Sequence, residues 1–125
     1  MAYSKNKKMK KLALILTLLV VGFTAQAQEK QTKKNKNAKY DIEVNGNCGM
    51  CKKRIETAAY SVKGVKSATW HQDHHDVHII LDENKTSIDE VHKAIAKAGH
   101  DTDKAKADDK VYEELHGCCQ YERKK

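Results

Sequence analysis

The sequence of 125 residues contains no proline, one tryptophan and one phenylalanine. Without proline, the chain lacks the cis-proline that thioredoxin-like proteins place beside their cysteines, which weighs against that class. Aromatic residues are too few to alternate with basic ones, so nucleic-acid binding has little support. No apolar run reaches the roughly 20 residues of a membrane-spanning helix. The length of the chain and its 39% hydrophobic residues allow one small domain with a modest core and appended segments.

The first 27 residues have the order of a secretory signal peptide. Five lysines precede an apolar block, Leu12 to Phe23, and the small residues Ala25 and Ala27 follow it. This order predicts cleavage after Ala27, a periplasmic or secreted protein, and no stable membrane insertion after cleavage. An uncleaved anchor is the alternative, and the shortness of the block weighs against it.

The net charge of +7 is concentrated ahead of the predicted domain. Residues 1–27 hold five lysines and no acid, and residues 28–40 hold five lysines against one acid, which leaves residues 41–125 with two more acids than bases. Residues 28–39 show no apolar periodicity and are predicted to form a basic flexible linker.

Hydrophobic periodicity predicts a strand and then a helix from residue 40 onward. Tyr40, Ile42 and Val44 alternate with polar residues, which predicts a half-buried strand that Gly46 ends. From residue 50 the apolar positions take helical spacing until Gly64 stops them. The loop that carries the first two cysteines therefore lies at a strand-to-helix junction.

Two further strands and a second helix follow. Residues 65–73 and 77–83 are predicted to be strands joined by a polar hairpin. Ser87 and Glu90, three positions apart, predict a capping box that opens the second helix. His92 is expected on the exposed flank of that helix.

Residues 102–107 are expected to add a weak edge strand. With it, residues 40–107 are predicted to form an α+β fold, a ferredoxin-like βαββαβ sandwich with both helices on one face of an antiparallel sheet. Residues 108–125 are predicted to form a C-terminal extension that begins with a short helix over 109–116.

Four cysteines occur as two pairs. Cys48 and Cys51 are three positions apart, and Cys118 and Cys119 are adjacent, so a bridge within the second pair would close a strained ring. A cross-pairing such as Cys48 with Cys118 stays open. The spacing of the first pair fits a redox pair, half of a zinc site, or an open site that holds a soft ion such as Cu(I) linearly between two thiolates. Cys51 is predicted to lie in the first turn of the helix, whose unpaired N–H groups and positive dipole end should lower its pKa and favour the thiolate.

The span 40–107 resembles the heavy-metal-associated domain, the fold of small copper chaperones, periplasmic mercury-binding proteins and the N-terminal modules of metal-pumping ATPases. The resemblance rests on Cys48 and Cys51 at the first strand-to-helix junction of a βαββαβ pattern. The chain departs from the family pattern because it has no methionine ahead of Cys48 and has Met50 between the cysteines.

The resemblance implies an exported, non-enzymatic protein whose primary metal ligands are Cys48 and Cys51. It would capture copper(I) first, with mercury(II) or zinc(II) less favoured. The ion would then be sequestered, or transferred to a metal-transporting ATPase or efflux component. The alternative is a periplasmic thiol–disulfide redox protein that uses the same two cysteines.

Topology places three connections at one edge of the predicted sheet: the cysteine loop, the hairpin and the turn after the second helix. In that turn His100 is a candidate third ligand or a donor near the metal. The tail adds a dense group of soft ligands, His116, Cys118 and Cys119. The hairpin adds weak candidates for a Cu(II) or Zn(II) site, although a solvated hairpin is favoured there, namely His71, His74 and His75. Gly46 and Gly49 are expected to keep the cysteine loop bare and mobile.

Overall fold

The computed structural model describes residues 33–124. The predicted signal peptide and residues 28–32 of the predicted linker lie outside the described residues. In the described range, no helix combines the length and the apolar character needed to cross a membrane. The elements are β1 (Ala38–Glu43), α1 (Gly49–Tyr60), β2 (Val65–His71), β3 (Asp76–Leu81), α2 (Ile88–Lys97), α3 (Asp109–Glu113) and a 3-10 helix (Gly117–Cys119).

β3 is the central strand of the sheet, which within the described residues has the order β1-β3-β2. It pairs antiparallel with both neighbours, so that Val77 lies opposite Ile42 on one side and opposite Trp70 on the other. Val77, Ile79 and Leu81 are each at most 1% exposed and share one face, as their alternation predicts. The hydrophobic core is built on this face.

Each of the two longer helices contributes one apolar side to the core. α1 buries Ile55 and Ala59, and α2 buries Val91 and Ile95. All four side chains belong to the same buried cluster as the inward face of β3. The predicted α+β class, with its helices packed on an antiparallel sheet, is confirmed.

The start of α2 differs in detail from the prediction. Ser87 is the N-cap residue, but its side chain makes no capping hydrogen bond among the described residues, so the predicted capping box is wrong. Asp89 and Glu90 in the first turn interact favourably with the positive end of the helix dipole instead. Gly99 follows the helix at a φ of +109°, a left-handed conformation that glycine adopts without strain.

The predicted edge strand over 102–107 is wrong, because within the described residues Thr102 forms only an isolated bridge with Val44. The Thr102 N–H donates to the Ala105 carbonyl at 2.7 Å, and the Thr102 Oγ1 accepts from the N–H groups of Lys104 and Ala105. These bonds fold the chain into a turn and occupy groups that a ladder with β1 would need.

His92 is buried, so the expectation of a solvated side chain is wrong. It is 3% exposed, and its Nδ1 lies 2.7 Å from the Oγ1 of Thr102. Burial lowers the pKa of His92, which keeps the ring neutral at pH 7. The turn after α2 is therefore docked on that helix through this hydrogen bond.

Both ends of the predicted domain are displaced by a few residues. Ala38 is buried and begins β1, so the last two residues of the predicted linker over 28–39 belong to the sheet. α3 ends at Glu113, three residues before the end of the helix predicted over 109–116.

Replacement of Ile79 by alanine should lower the free energy of unfolding by about 2–5 kcal/mol, because the side chain is fully enclosed and leaves a cavity. Ile80→Ala, on the next residue and the opposite face, should cost about half as much or less, because Ile80 is partly exposed. Urea unfolding followed by tryptophan fluorescence measures both. Equal losses would contradict the assignment of the inward face of β3.

Candidate metal centre

The cysteine loop lies directly on the indole of Trp70. A Cβ atom on Gly46 would be 3.0 Å from Trp70 Cζ2 and 3.1 Å from the Cβ of Cys51. The Trp70 Nε1–H donates to the Val44 carbonyl at 3.1 Å. Gly46 therefore allows the loop to pack closely on the indole. Its expected role in keeping the loop mobile stays a prediction. Gly49, in contrast, has open space among the described residues.

The hairpin and the turn after α2 hold the same loop from two further sides. The Gln72 Nε2–H donates to the Asn47 carbonyl at 2.7 Å. His100 Nδ1 lies 2.8 Å from the Asn45 carbonyl, and the Asn45 N–H donates to the Asp101 carbonyl at 3.0 Å. The three connections thus meet at one edge, as the topology predicts.

Cys48 and Cys51 lie at the start of α1. Cys48 is the N-cap residue, in extended conformation, and Cys51 lies in the first helical turn with its side chain fully buried. Their sulfur atoms are 3.6 Å apart. All four cysteines of the chain fall within the described residues, and each is a free thiol.

The C-terminal tail brings the second cysteine pair to the first. The Cys48 sulfur lies 3.6 Å from the sulfur of Cys118 and 3.6 Å from that of Cys119. The Cys118 and Cys119 sulfurs are 3.9 Å apart. A group of potential metal ligands is therefore formed by Cys48, Cys118 and Cys119. The Cys51 sulfur lies beside the Cys48 sulfur. We refer to these four residues as the sulfur cluster.

Met50 adds a thioether to the edge of the sulfur cluster. The Cys118 thiol lies 3.8 Å from the Met50 sulfur and can donate to it. Met50 is 47% exposed, an unusual position for a methionine side chain in a small domain. In the sequence, Met50 is only a departure from the family pattern. Its contact with the tail could not be predicted, because the residues around Met50 do not indicate that the tail lies beside it.

The thiols of Cys48, Cys51 and Cys118 differ in acidity because the first is stabilised as the anion by its neighbours. The backbone N–H of Cys51, followed by the thiols of Cys119, Cys51 and Cys118, lowers the pKa of Cys48 to about 6. Burial raises the pKa of Cys51 to about 11, so the predicted lowering of its pKa by the helix start is wrong. The hydrogen bond to Cys48 raises the pKa of Cys118 to about 11. At neutral pH Cys48 of the metal-free cluster is therefore a thiolate, whereas Cys51 and Cys118 are thiols.

Tyr121 anchors the tail on the turn after α2. The Tyr121 hydroxyl donates to the Gly99 carbonyl at 2.9 Å and accepts from the Asp101 N–H at 2.7 Å. Its ring stacks on the His100 ring with centroids 5.5 Å apart. Arg123 adds an ion pair, with its Nε 2.8 Å and its Nη2 2.9 Å from the two Asp101 carboxylate oxygens.

His100 and His116, both candidate ligands, lie outside the group of convergent ligand atoms found among the described residues. His100 is fully buried with its Nδ1 on the loop carbonyl, and its Nε2 has no hydrogen-bond partner in the described part of the chain. His116 is exposed. The histidine of the turn thus supports the loop, whereas the cysteines of the tail reach the site.

The hairpin histidines do not converge either. His74 and His75 are exposed, and His75 has a φ of +55° while its ring stacks on Trp70. The His71 ring packs edge-on against His78, which is paired with the carboxylate of Asp41. Within residues 33–124, these histidines form no group of three convergent ligands.

Cys48 should be the first thiol of the metal-free protein to react with iodoacetamide. Because its pKa lies near 6, its alkylation rate should rise from pH 5 to 7 and then level off, whereas Cys118 should stay slow until about pH 10 despite greater exposure. Tandem mass spectrometry of quenched samples assigns the sites. Faster labelling of Cys118 at pH 7 would contradict this order, and Cys48→Ser should abolish the fast phase.

Comparisons with known proteins agree with this geometry. Residues 42–101 match the model of the heavy-metal-associated domain family. The chain is 34% identical over 61 residues to the copper chaperone CopZ of Staphylococcus haemolyticus, an alignment that covers 48% of this chain and 90% of that protein.

Solved structures give the same result. A CopZ metallochaperone superposes with a TM-score of 0.51 at 29% identity, over 52% of this chain and 98% of the other. The water-soluble region of the P-type ATPase CopA from Bacillus subtilis gives a TM-score of 0.50 at 25% identity, over 53% of this chain and 44% of the other. The two-cysteine junction, the antiparallel sheet beneath it and these similarities establish that the chain belongs to the heavy-metal-associated domain family.

Proposed function

We propose that this protein captures copper(I) from its surroundings and either passes it to a metal transporter or sequesters it. The observation that carries the proposal is the sulfur cluster, in which four cysteines converge around a Cys48 thiolate. Thiolates prefer Cu(I) and similar soft ions over hard cations such as Mg²⁺ or Ca²⁺. The similarity to the copper chaperone CopZ of Staphylococcus haemolyticus supports copper over mercury or zinc.

A membrane transporter is the proposed partner, and its support comes from structural similarity. The chain superposes on the water-soluble region of the P-type ATPase CopA from Bacillus subtilis. Domains of one fold can exchange an ion through successive thiolate replacement, in which an incoming cysteine binds before an outgoing one leaves. The signal-like residues 1–27 support the further proposal that this occurs outside the cytoplasm.

Thiol–disulfide exchange is the second candidate, and the low pKa of Cys48 favours it because a thiolate attacks disulfides. The same reaction requires a second thiolate to resolve the mixed disulfide. Burial raises the pKa of Cys51 to about 11, so that its thiol is mainly protonated at neutral pH. Resolution by Cys51 would therefore be slow, and metal binding is the better-supported function.

The Cys48→Ser/Cys51→Ser variant should lose more than about 100-fold in Cu(I) affinity, a larger effect than the 10- to 100-fold typical of residues that only support ligands. Competition with a Cu(I) chelator under reducing conditions measures this. The matched control is Asn47→Ser, which alters an exposed side chain of the same loop without touching a sulfur. An unchanged affinity in the double variant would overturn the proposed function.

Export should leave Gln28, or its cyclised form, as the first residue. Intact-mass spectrometry of protein isolated from the periplasm or medium of the expressing bacterium checks this. Cleavage is expected to depend on the small residues before the cut, so Ala27→Gln should slow it while an Asn37→Gln control does not. Recovery of the uncleaved chain from the membrane fraction would favour an anchored protein instead.

A further inference from the structure

The arrangement of the sulfur atoms limits the coordination number of an ion held there. With a metal–thiolate bond of about 2.3 Å, two ligands on opposite sides of an ion lie about 4.6 Å apart, and tetrahedral ligands lie about 3.8 Å apart. The Cys48 and Cys51 sulfurs are 3.6 Å apart. This pair is therefore too close for a linear two-thiolate complex without rearrangement and fits a higher coordination number.

The tail supplies the additional ligands. The Cys48, Cys118 and Cys119 sulfurs form a triangle with edges of 3.6, 3.6 and 3.9 Å. A point equidistant from all three lies about 2.1 Å from each, close to the length of a metal–thiolate bond. These three sulfur atoms are therefore sufficient to form a three-coordinate site without a ligand from another residue.

From this geometry we propose that Cys118 and Cys119 convert the exchangeable site of the proposed function, on which this inference rests, into a closed three-thiolate site with Cys48. The tail occupies the side of the ion that an incoming ligand would otherwise use. Binding of one Cu(I) releases the thiol protons of Cys118 and Cys119 to solvent and, with Cys51 still protonated, leaves a complex of net charge −2. Copper neither gains nor loses an electron in this step.

Burial sets the order in which the ligands can be replaced. Of the three ligands, Cys119 is fully buried, Cys48 is partly buried and Cys118 is exposed. An incoming thiolate therefore displaces Cys118 first, at the edge where Met50 offers its thioether. The tail thus slows release and confines it to one edge of the site.

The tail is held by contacts that contain no sulfur, which allows ligand loss and tail release to be tested separately. Tyr121 and Arg123 fix it on the turn after α2. Tyr121→Phe keeps every thiol but removes the hydroxyl that bonds to Gly99 and Asp101. This variant loosens the tail without changing the ligands available.

The experiment compares the Cu(I)-loaded protein with Cys118→Ser/Cys119→Ala by X-ray absorption and by transfer kinetics to bathocuproine disulfonate. We expect three sulfur neighbours per copper in the protein and two in the variant, with transfer at least about tenfold faster in the variant. Tyr121→Phe should also accelerate transfer. Glu113→Ala, an exposed change in the tail, is the control and should leave the rate unchanged.

An unchanged sulfur count and transfer rate in the double variant would overturn this inference and leave the proposed function standing. A protein that binds no Cu(I) at all would overturn both. Because Cys119 is buried, the fold of each variant is verified by circular dichroism. If the double variant is unfolded, Cys118→Ser alone, at an exposed position, must still show the lower count and faster transfer for the inference to hold.

Discussion

The contact between Gly46 and Trp70 is the constraint on which the site depends. Even a Cβ atom at position 46 would lie 3.0 Å from the indole and 3.1 Å from the Cβ of Cys51, so the neighbours would have to shift to admit it. Because the loop rests directly on Trp70, the first turn of α1 begins at a fixed place, with Cys48 just outside the helix and Cys51 inside it. Trp70 of β2 lies beneath the loop, and its indole N–H bonds to the Val44 carbonyl.

The turn over residues 99–101 connects this loop to the tail. On one side, His100 and Asp101 bond to the backbone of Asn45. On the other, Gly99 and Asp101 bond to Tyr121. Burial alone would raise the pKa of Asp101, but the Arg123 guanidinium and the Ala107 N–H hold it below its usual range. The carboxylate therefore stays ionised and retains Arg123 at neutral pH.

The parts of the fold that follow from local pattern were predictable. Alternation identified the inward face of β3, and the change to helical spacing at residue 50 placed Cys48 and Cys51 at the junction. The family resemblance followed from that placement. Each of these features depends on residues that are close together in the sequence.

What was not predictable depends on long-range contacts. The edge strand failed because Thr102 bonds to its own turn and to His92, a choice that propensity does not reveal. The approach of Cys118 to Cys48, separated by 70 residues, depends on how Tyr121 and Arg123 fit the turn after α2. The sequence identified the soft ligands of the tail but gave no sign of this docking surface.

A tail that docks through Tyr121 and Arg123 rather than through its cysteines has a thermodynamic consequence. The metal-free fold already holds Cys118 and Cys119 within 3.6 Å of Cys48. The conformational entropy of ordering the tail, about 1–2 kcal/mol per residue for the backbone alone, is therefore lost during folding and not during metal binding. A site formed in this way binds its ion more tightly than a mobile tail with the same ligands. The exposed edge at Cys118 and Met50 is then the place where an incoming ligand can reach the ion and remove it.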